Sequence, residues 1–185
     1  MIYSWKRIIR LGLPLLTICV LIEIFAGSML QGGQNILFKI PIFLISIPVI
    51  NSVGGNIGSI LGARLASGLH VGNIRIDFKD KNMHENFITS IFLGLLTYGI
   101  LAILIYYIAL FSELSMEIGL IEFILVLLAV GMLLICIVSV FSIFTAFLSF
   151  KRGLDPDDFV APIVTTISDT LGIIFLFFIV GVFII

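Results

Sequence analysis

The sequence predicts an all-α integral membrane protein of five transmembrane helices, its N-terminus cytoplasmic and its C-terminus outside. Three observations carry this. Of the 185 residues, 61% are apolar and only 11% charged, with a mean hydropathy of +1.30. Soluble domains are about 45–50% apolar and about 25% charged, so a water-soluble enzyme with an ordinary polar surface is excluded. The apolar residues are gathered into five runs long enough to cross lipid. The basic residues then fall almost entirely on one side of those runs. The net charge of −1 conceals this asymmetry.

A hydrocarbon core of about 30 Å takes about 20 helical residues. Leu11–Leu30 meets that length, broken only by Glu23. Lys6, Arg7 and Arg10 ahead of it mimic a signal peptide, but the run is long and lacks a small-x-small cleavage site, so it reads as a retained first span. Ile36–Val53 is shorter and carries Pro41 and Pro48, which predicts a kinked or interrupted helix. Gly54–Glu85 reads as a long polar loop on the cytoplasmic side, with a short helix over Ile57–Leu69. Asn86–Phe111 is the third span. Ile118–Phe150, 33 residues long, is expected to tilt, kink or protrude. Phe159–Ile185 is the fifth, with its crossing part over 159–183. Residues 1–185 thus read as a single transmembrane domain.

Five spans place Lys6, Arg7, Arg10, Arg64, Arg75, Lys79, Lys81, Lys151 and Arg152 on the N-terminal side, and Lys39 alone opposite. The positive-inside rule then makes the N-terminal side cytoplasmic, in a multi-pass protein of the plasma membrane. The outer loop holds Glu113, Glu117 and Glu122, which either concentrate cations at an outer mouth or form an ordinary solvated loop. His70 and His84 read as solvated residues of the cytoplasmic loop. Cys19 and Cys136 lie inside apolar runs with no metal-ligand spacing and read as inert small hydrophobes.

Nineteen of the 21 charges sit in loops or near span ends; Glu23 and Asp169 do not. A carboxylate at mid-bilayer costs a few kcal/mol and usually faces a bundle interior or a water-filled path. In the fifth span, Asp158, Pro162, Thr165, Thr166, Asp169 and Gly172 fall on one helical stripe (i, i+3, i+4). Asp169 lies roughly 16 Å along the helix from Asp158, near the middle of the bilayer. Such a stripe is either one wall of a cation path or a set of hydroxyls joining helices. Glu23 reads as a second cation ligand, a proton-coupling group or a buried acid bonded to another span.

The run Asn51-Ser52-Val53-Gly54-Gly55-Asn56-Ile57-Gly58-Ser59 follows the proline-containing span. Three glycines and two asparagines are expected to break the helix. Either the freed carbonyls, with Asn51 and Asn56, line a cavity as hard oxygen donors suited to Mg²⁺, or the run is a turn between two helices.

Together these segments resemble a known family. Ile47 through Ser59, with Pro48 and the Gly54-Gly55-Asn56-Ile57-Gly58 core, followed by Ala63-Arg64-Leu65, is similar to the second-span signature of the MgtE magnesium transporters and their solute-carrier relatives. Pro162 through Gly172 (PIVTTISDTLG) is similar to the family's last span. The resemblance implies a homodimeric Mg²⁺ path lined by spans two and five. Asp169 matches the aspartate that holds hydrated magnesium, and Pro48, Gly54, Gly55, Asn56 and Gly58 match the turn. The MgtE proteins carry cytosolic gating domains, whereas only about ten residues here precede the first span, so that apparatus is expected to be missing. Animal relatives hold two copies of the five-span unit. One copy per chain implies pairing, with itself or with a partner encoded elsewhere.

Mg²⁺ dehydrates reluctantly, so one or two carboxylates with several neutral oxygens suit its water shell. Two Asp169 side chains across a two-fold axis supply −2 against +2. The expected function is therefore Mg²⁺ transport, as a channel or as a Na⁺- or H⁺-coupled exchanger, with Mg²⁺ as cargo and the lipid bilayer as surroundings. An intramembrane enzyme using Glu23 and Asp169 is a second class, but no metalloprotease motif, Ser/Lys or Ser/His pair, or phosphate-binding glycine loop accompanies them. A non-conducting membrane subunit is a third, and a midplane Asp169 argues against it. No feature points to nucleic acid or to a small organic substrate.

Overall fold

The computed structural model describes residues 5–77, 79–112, 114 and 118–183. Glu113 and Glu117 of the outer loop lie outside the described residues. The chain forms α1 (Trp5–Gly32), α2 (Gln34–Lys39), α3 (Ile42–Val71), α4 (Lys81–Phe111), α5 (Leu120–Lys151) and α6 (Pro156–Phe183). All but α2 are long and apolar enough to cross a bilayer, which makes this a multi-pass membrane protein.

The second span is interrupted, as its prolines predict, but only at the first of them. The interruption falls at Ile40–Pro41, where short α2 ends, and Pro41 (φ −59°) opens α3. From Ile42 the helix runs unbroken through Pro48 and the whole glycine-asparagine run to Val71. The expected break at 51–59, with its freed carbonyls, is absent, and the separate helix at 57–69 is the second half of the same rod. The loop consequently shrinks to residues 72–80. It opens on Gly72, which closes α3 in the left-handed conformation (φ 80°) that glycine adopts without penalty. It ends on Asp80, whose side chain accepts from Met83 N–H at 3.0 Å and caps α4.

The glycines survive in a helix because they face other helices at close range. A side chain at Gly54 would meet Leu134 and Ser168, one at Gly58 would meet Val138 and Val164, and one at Gly62 would meet Ser142 and Val160. Gly54, Gly58 and Gly62 recur every four residues, so they form one smooth strip into which α5 and α6 pack. Small residues at this spacing drive helix association in lipid, where burial alone contributes little. The partner numbers rise along α5 and fall along α6, so α3 runs parallel to α5 and antiparallel to α6. Tyr98 and Gly131 join α4 to α5 in the same way.

Helix α3 is therefore central, packed on α4, α5 and α6. Tyr98, fully buried on α4, donates its hydroxyl to the Ile50 carbonyl at 2.8 Å. Ser142 on α5 donates to the Gly58 carbonyl at 2.8 Å. Helix α1 is peripheral. Its long-range packing is against α6, through a narrow strip that includes buried Cys19 and Ala26, and most of its apolar residues face outward.

Candidate functional site

The antiparallel pair α3 and α6 leaves one side uncovered. On α3 the exposed positions Pro48, Ser52 and Asn56 recur at helical spacing. On α6 the matching side carries Asp158, Ala161 and Thr165, all exposed, and half-buried Asp169. The two rows meet at Gly55, where an added Cβ would stand 3.4 Å from Cγ2 of Thr165 and 3.6 Å from its Oγ1. The open groove thus collects oxygens from Ser52, Asn56, Thr165 and Asp169. The Asn56 amide donates to Ser52 Oγ at 3.3 Å, and Thr165 donates to the Ala161 carbonyl at 2.7 Å. Both hydrogen bonds leave acceptor oxygens available toward the groove. Pro162 has no N–H to give the Asp158 carbonyl, a further oxygen outside the helix ladder.

Behind the groove the two helices are locked together. Ser168, fully buried, donates to the Asn51 carbonyl at 2.8 Å. The Asn51 side chain donates in return to the backbone carbonyl of Asp169 at 3.2 Å. Its Oδ1 abuts Gly172 and has no hydrogen-bond partner among the described residues. Asn51 is therefore a bracket between the helices, placed behind the aspartate.

The stripe read from the sequence divides among three neighbours. Thr165 faces the groove and α3. Thr166, one residue on and about 100° around the helix, is buried and donates to Glu23 Oε1 on α1 at 3.1 Å. Gly172 is buried against Asn51. Cys19 Sγ lies 3.8 Å from the Pro162 carbonyl in the same α1–α6 contact. Glu23 itself stays exposed. Gly54 and Gly58 sit in the core. Asp158 lies at the mouth of α6, in the turn where His70 Nε2 approaches Asp155 Oδ1 at 3.8 Å. Glu122 caps α5 by accepting from Gly119 N–H at 3.2 Å.

Sequence reasoning missed Ser52, Ser168, Tyr98 and Gly62. The four-residue period of Gly54, Gly58 and Gly62 was the available signal for the last. Among the described residues no three His, Cys, Asp or Glu side chains gather into a metal cage. What one chain offers is the half-buried Asp169 carboxylate, with Glu23 one turn away on α1 and Asp158 at the mouth, and several neutral oxygens along a groove open on one side.

Residues 47–179 match the family model of MgtE, described as a divalent cation transporter. The match takes in nearly all of α3 and α6 and leaves out α1 and α2. No curated protein matches the chain as a relative. A match over this much of the sequence, on the two helices that build the groove, places the chain in the MgtE divalent cation transporter family.

Proposed function

We propose that the protein carries Mg²⁺ across the cytoplasmic membrane through a path centred on Asp169 and walled by the open faces of α3 and α6. The observation that carries this reading is the half-buried Asp169 carboxylate on a groove shared with Ser52, Asn56 and Thr165. A carboxylate and amide at mid-bilayer are costly against lipid tails, so the groove needs protein or water over it. A second copy, related by a two-fold axis, supplies both. It encloses the groove and brings a second Asp169, giving −2 against the charge of Mg²⁺. Neutral oxygens then hold the water shell, which Mg²⁺ surrenders reluctantly. The excess of basic residues flanking one side of the spans supports an orientation with the N-terminus in the cytoplasm.

Reconstitution into liposomes loaded with a Mg²⁺ indicator tests this. The wild-type chain is expected to pass Mg²⁺ down its gradient, and Asp169→Asn to lower the flux at least tenfold while the protein still folds and pairs. Wild-type liposomes without divalent flux, or Asp169→Asn liposomes with full flux, overturn it. Glu23 favours ion coupling as a second reading, because it places another carboxylate one hydrogen bond from α6. Coupled exchange makes the flux depend on an imposed Na⁺ or proton gradient, and a channel does not.

A further inference from the structure

At the end of the bundle where α3 turns into α4, a cavity of about 630 Å³ opens between the two helices and the connecting loop. It lies outside the groove oxygens described above. Ile60, Ala63, Arg64 and Ser67 of α3 form one wall, and Asn82, Glu85 and Asn86 of α4 the other. The floor is the loop folded back on the helix. Ile74 N–H donates to the Gly68 carbonyl at 3.0 Å, and Gly68 has no side chain to keep buried Ile74 away. The rim is knitted by amides: Asn82 donates to the Asn73 carbonyl at 2.7 Å and Asn86 to the Asn82 carbonyl at 2.8 Å. Each amide keeps a second N–H.

Two charged side chains line this cavity, Arg64 and Glu85, and they are not paired with each other. Glu85 turns to Lys81 instead, at 3.6 Å in an exposed i, i+4 pair. Arg64 has no carboxylate partner among the described residues. A guanidinium without a carboxylate partner, sharing its cavity with amide N–H groups, suits an anion. Its five donors in a fixed fork match phosphate oxygens. The depth also points to a ligand. Arg64 stands seven residues before the end of α3, roughly 10 Å at helical rise, which is the interfacial level of a span. From the cavity an exposed apolar track leads toward the bilayer centre, with Ile60 on α3 and Phe92 and Leu96 on the α4 face that carries Glu85. A polar seat that opens onto an apolar track fits an amphiphile.

We propose that this cavity seats the phosphate group of a membrane phospholipid, with Arg64 gripping the phosphate and the acyl chains lying along Phe92 and Leu96. Native mass spectrometry of the full chain released from detergent, incubated with phosphatidylglycerol or with diacylglycerol of the same chains, tests it. The wild-type protein is expected to retain phosphatidylglycerol and to shed diacylglycerol. Arg64→Gln is expected to cut retention at least tenfold. Asn86→Asp, which leaves Arg64 in place but adds a carboxylate to the same lining, is expected to do the same. Inorganic phosphate at millimolar concentration that displaces the lipid keeps the phosphate site and shows that a free anion also fills it. Equal retention of both lipids, or retention unchanged in both variants, overturns the proposal.

Discussion

The Asn51 side chain hydrogen-bonds the backbone of Asp169 across the α3–α6 interface, at 3.2 Å. The central helix of the fold is thereby tied to the residue on which transport is proposed to turn. The bond goes to the carbonyl, so the carboxylate remains available to the groove while its position along α6 is fixed. Ser168 reinforces the same level from the other helix, and Tyr98 anchors the adjoining Ile50 carbonyl from α4. Three helices therefore converge within one turn of the aspartate.

This bracket is crowded, which makes it testable. A methyl group at Gly172 would run into the Asn51 amide. Gly172→Ala is expected to destabilise the protein by about 1–3 kcal/mol, the usual cost of overpacking. Asn51→Ala alone is expected to cost about 1 kcal/mol for its hydrogen bond. The double variant removes the obstructing amide, so it should be more stable than Gly172→Ala by itself. Unfolding in mixed micelles measures all three, and strict additivity of the single effects defeats the idea.

The glycine strip yields a second prediction whose sign depends on position. Gly58 is enclosed by Val138 and Val164, so Gly58→Ala is expected to destabilise by about 1–3 kcal/mol. Adding Val164→Ala should recover much of that loss. Gly99, in the interior of α4, has no heavy atom within 4 Å of where its Cβ would be. There, alanine is expected to stabilise, because it restricts the unfolded chain and favours helix. Equal destabilisation at both sites shows that the close packing along α3 is not what holds the bundle.

The number of spans was legible because lipid imposes a length and an apolar composition that few other environments demand. The state of the Asn51–Ser59 run was not. Glycine and asparagine weaken an isolated helix, and the local sequence registers that cost but not what offsets it. The offset lies far away in the chain, in Leu134, Val138 and Ser142 and in Ser168, Val164 and Val160, whose four-residue period echoes that of the glycines. Which threonine meets which helix was hidden for a related reason. Thr165 and Thr166 both satisfy an i, i+3, i+4 pattern, yet which of them meets α3 and which meets α1 depends on where those helices dock. Nothing near Glu23 announces Thr166 as its partner. Asp169 stood out as a candidate because an acid inside a span is visible from local sequence alone.

The contact between Glu23 and Thr166 supports a third prediction. Interhelical hydrogen bonds in membrane proteins average about 0.6 kcal/mol, and this one joins α1 to the bundle beside an exposed acceptor. Thr166→Val is expected to cost about that much. Glu23→Gln keeps an acceptor oxygen and should change stability by no more than a few tenths of a kcal/mol. A Mg²⁺ flux that falls in Glu23→Gln while stability holds then assigns the loss to the missing charge. Parallel losses of flux and stability in both variants would leave Glu23 a purely structural contact.

The cap on α4 gives a pH prediction outside the membrane. Asp80 accepts hydrogen bonds from the backbone N–H groups of Met83, at 3.0 Å, and Arg75, at 3.2 Å. Together they hold its carboxyl below the ordinary value of 3.8. A carboxylate favoured in the folded state stabilises that state wherever it is ionised in both forms. The contribution is therefore fully present above about pH 4 and is lost as pH falls through the lowered folded value. Protonation weakens the acceptor that holds the Arg75 and Met83 amides, so amide exchange at Met83 and Arg75 is expected to speed up on acidification beyond its intrinsic pH dependence. Asp80→Asn, a good cap that does not titrate, should abolish that excess while keeping the start of α4 protected. Asp80→Ala should expose both amides at every pH. An acid-dependent opening that persists in Asp80→Asn places the titrating group elsewhere.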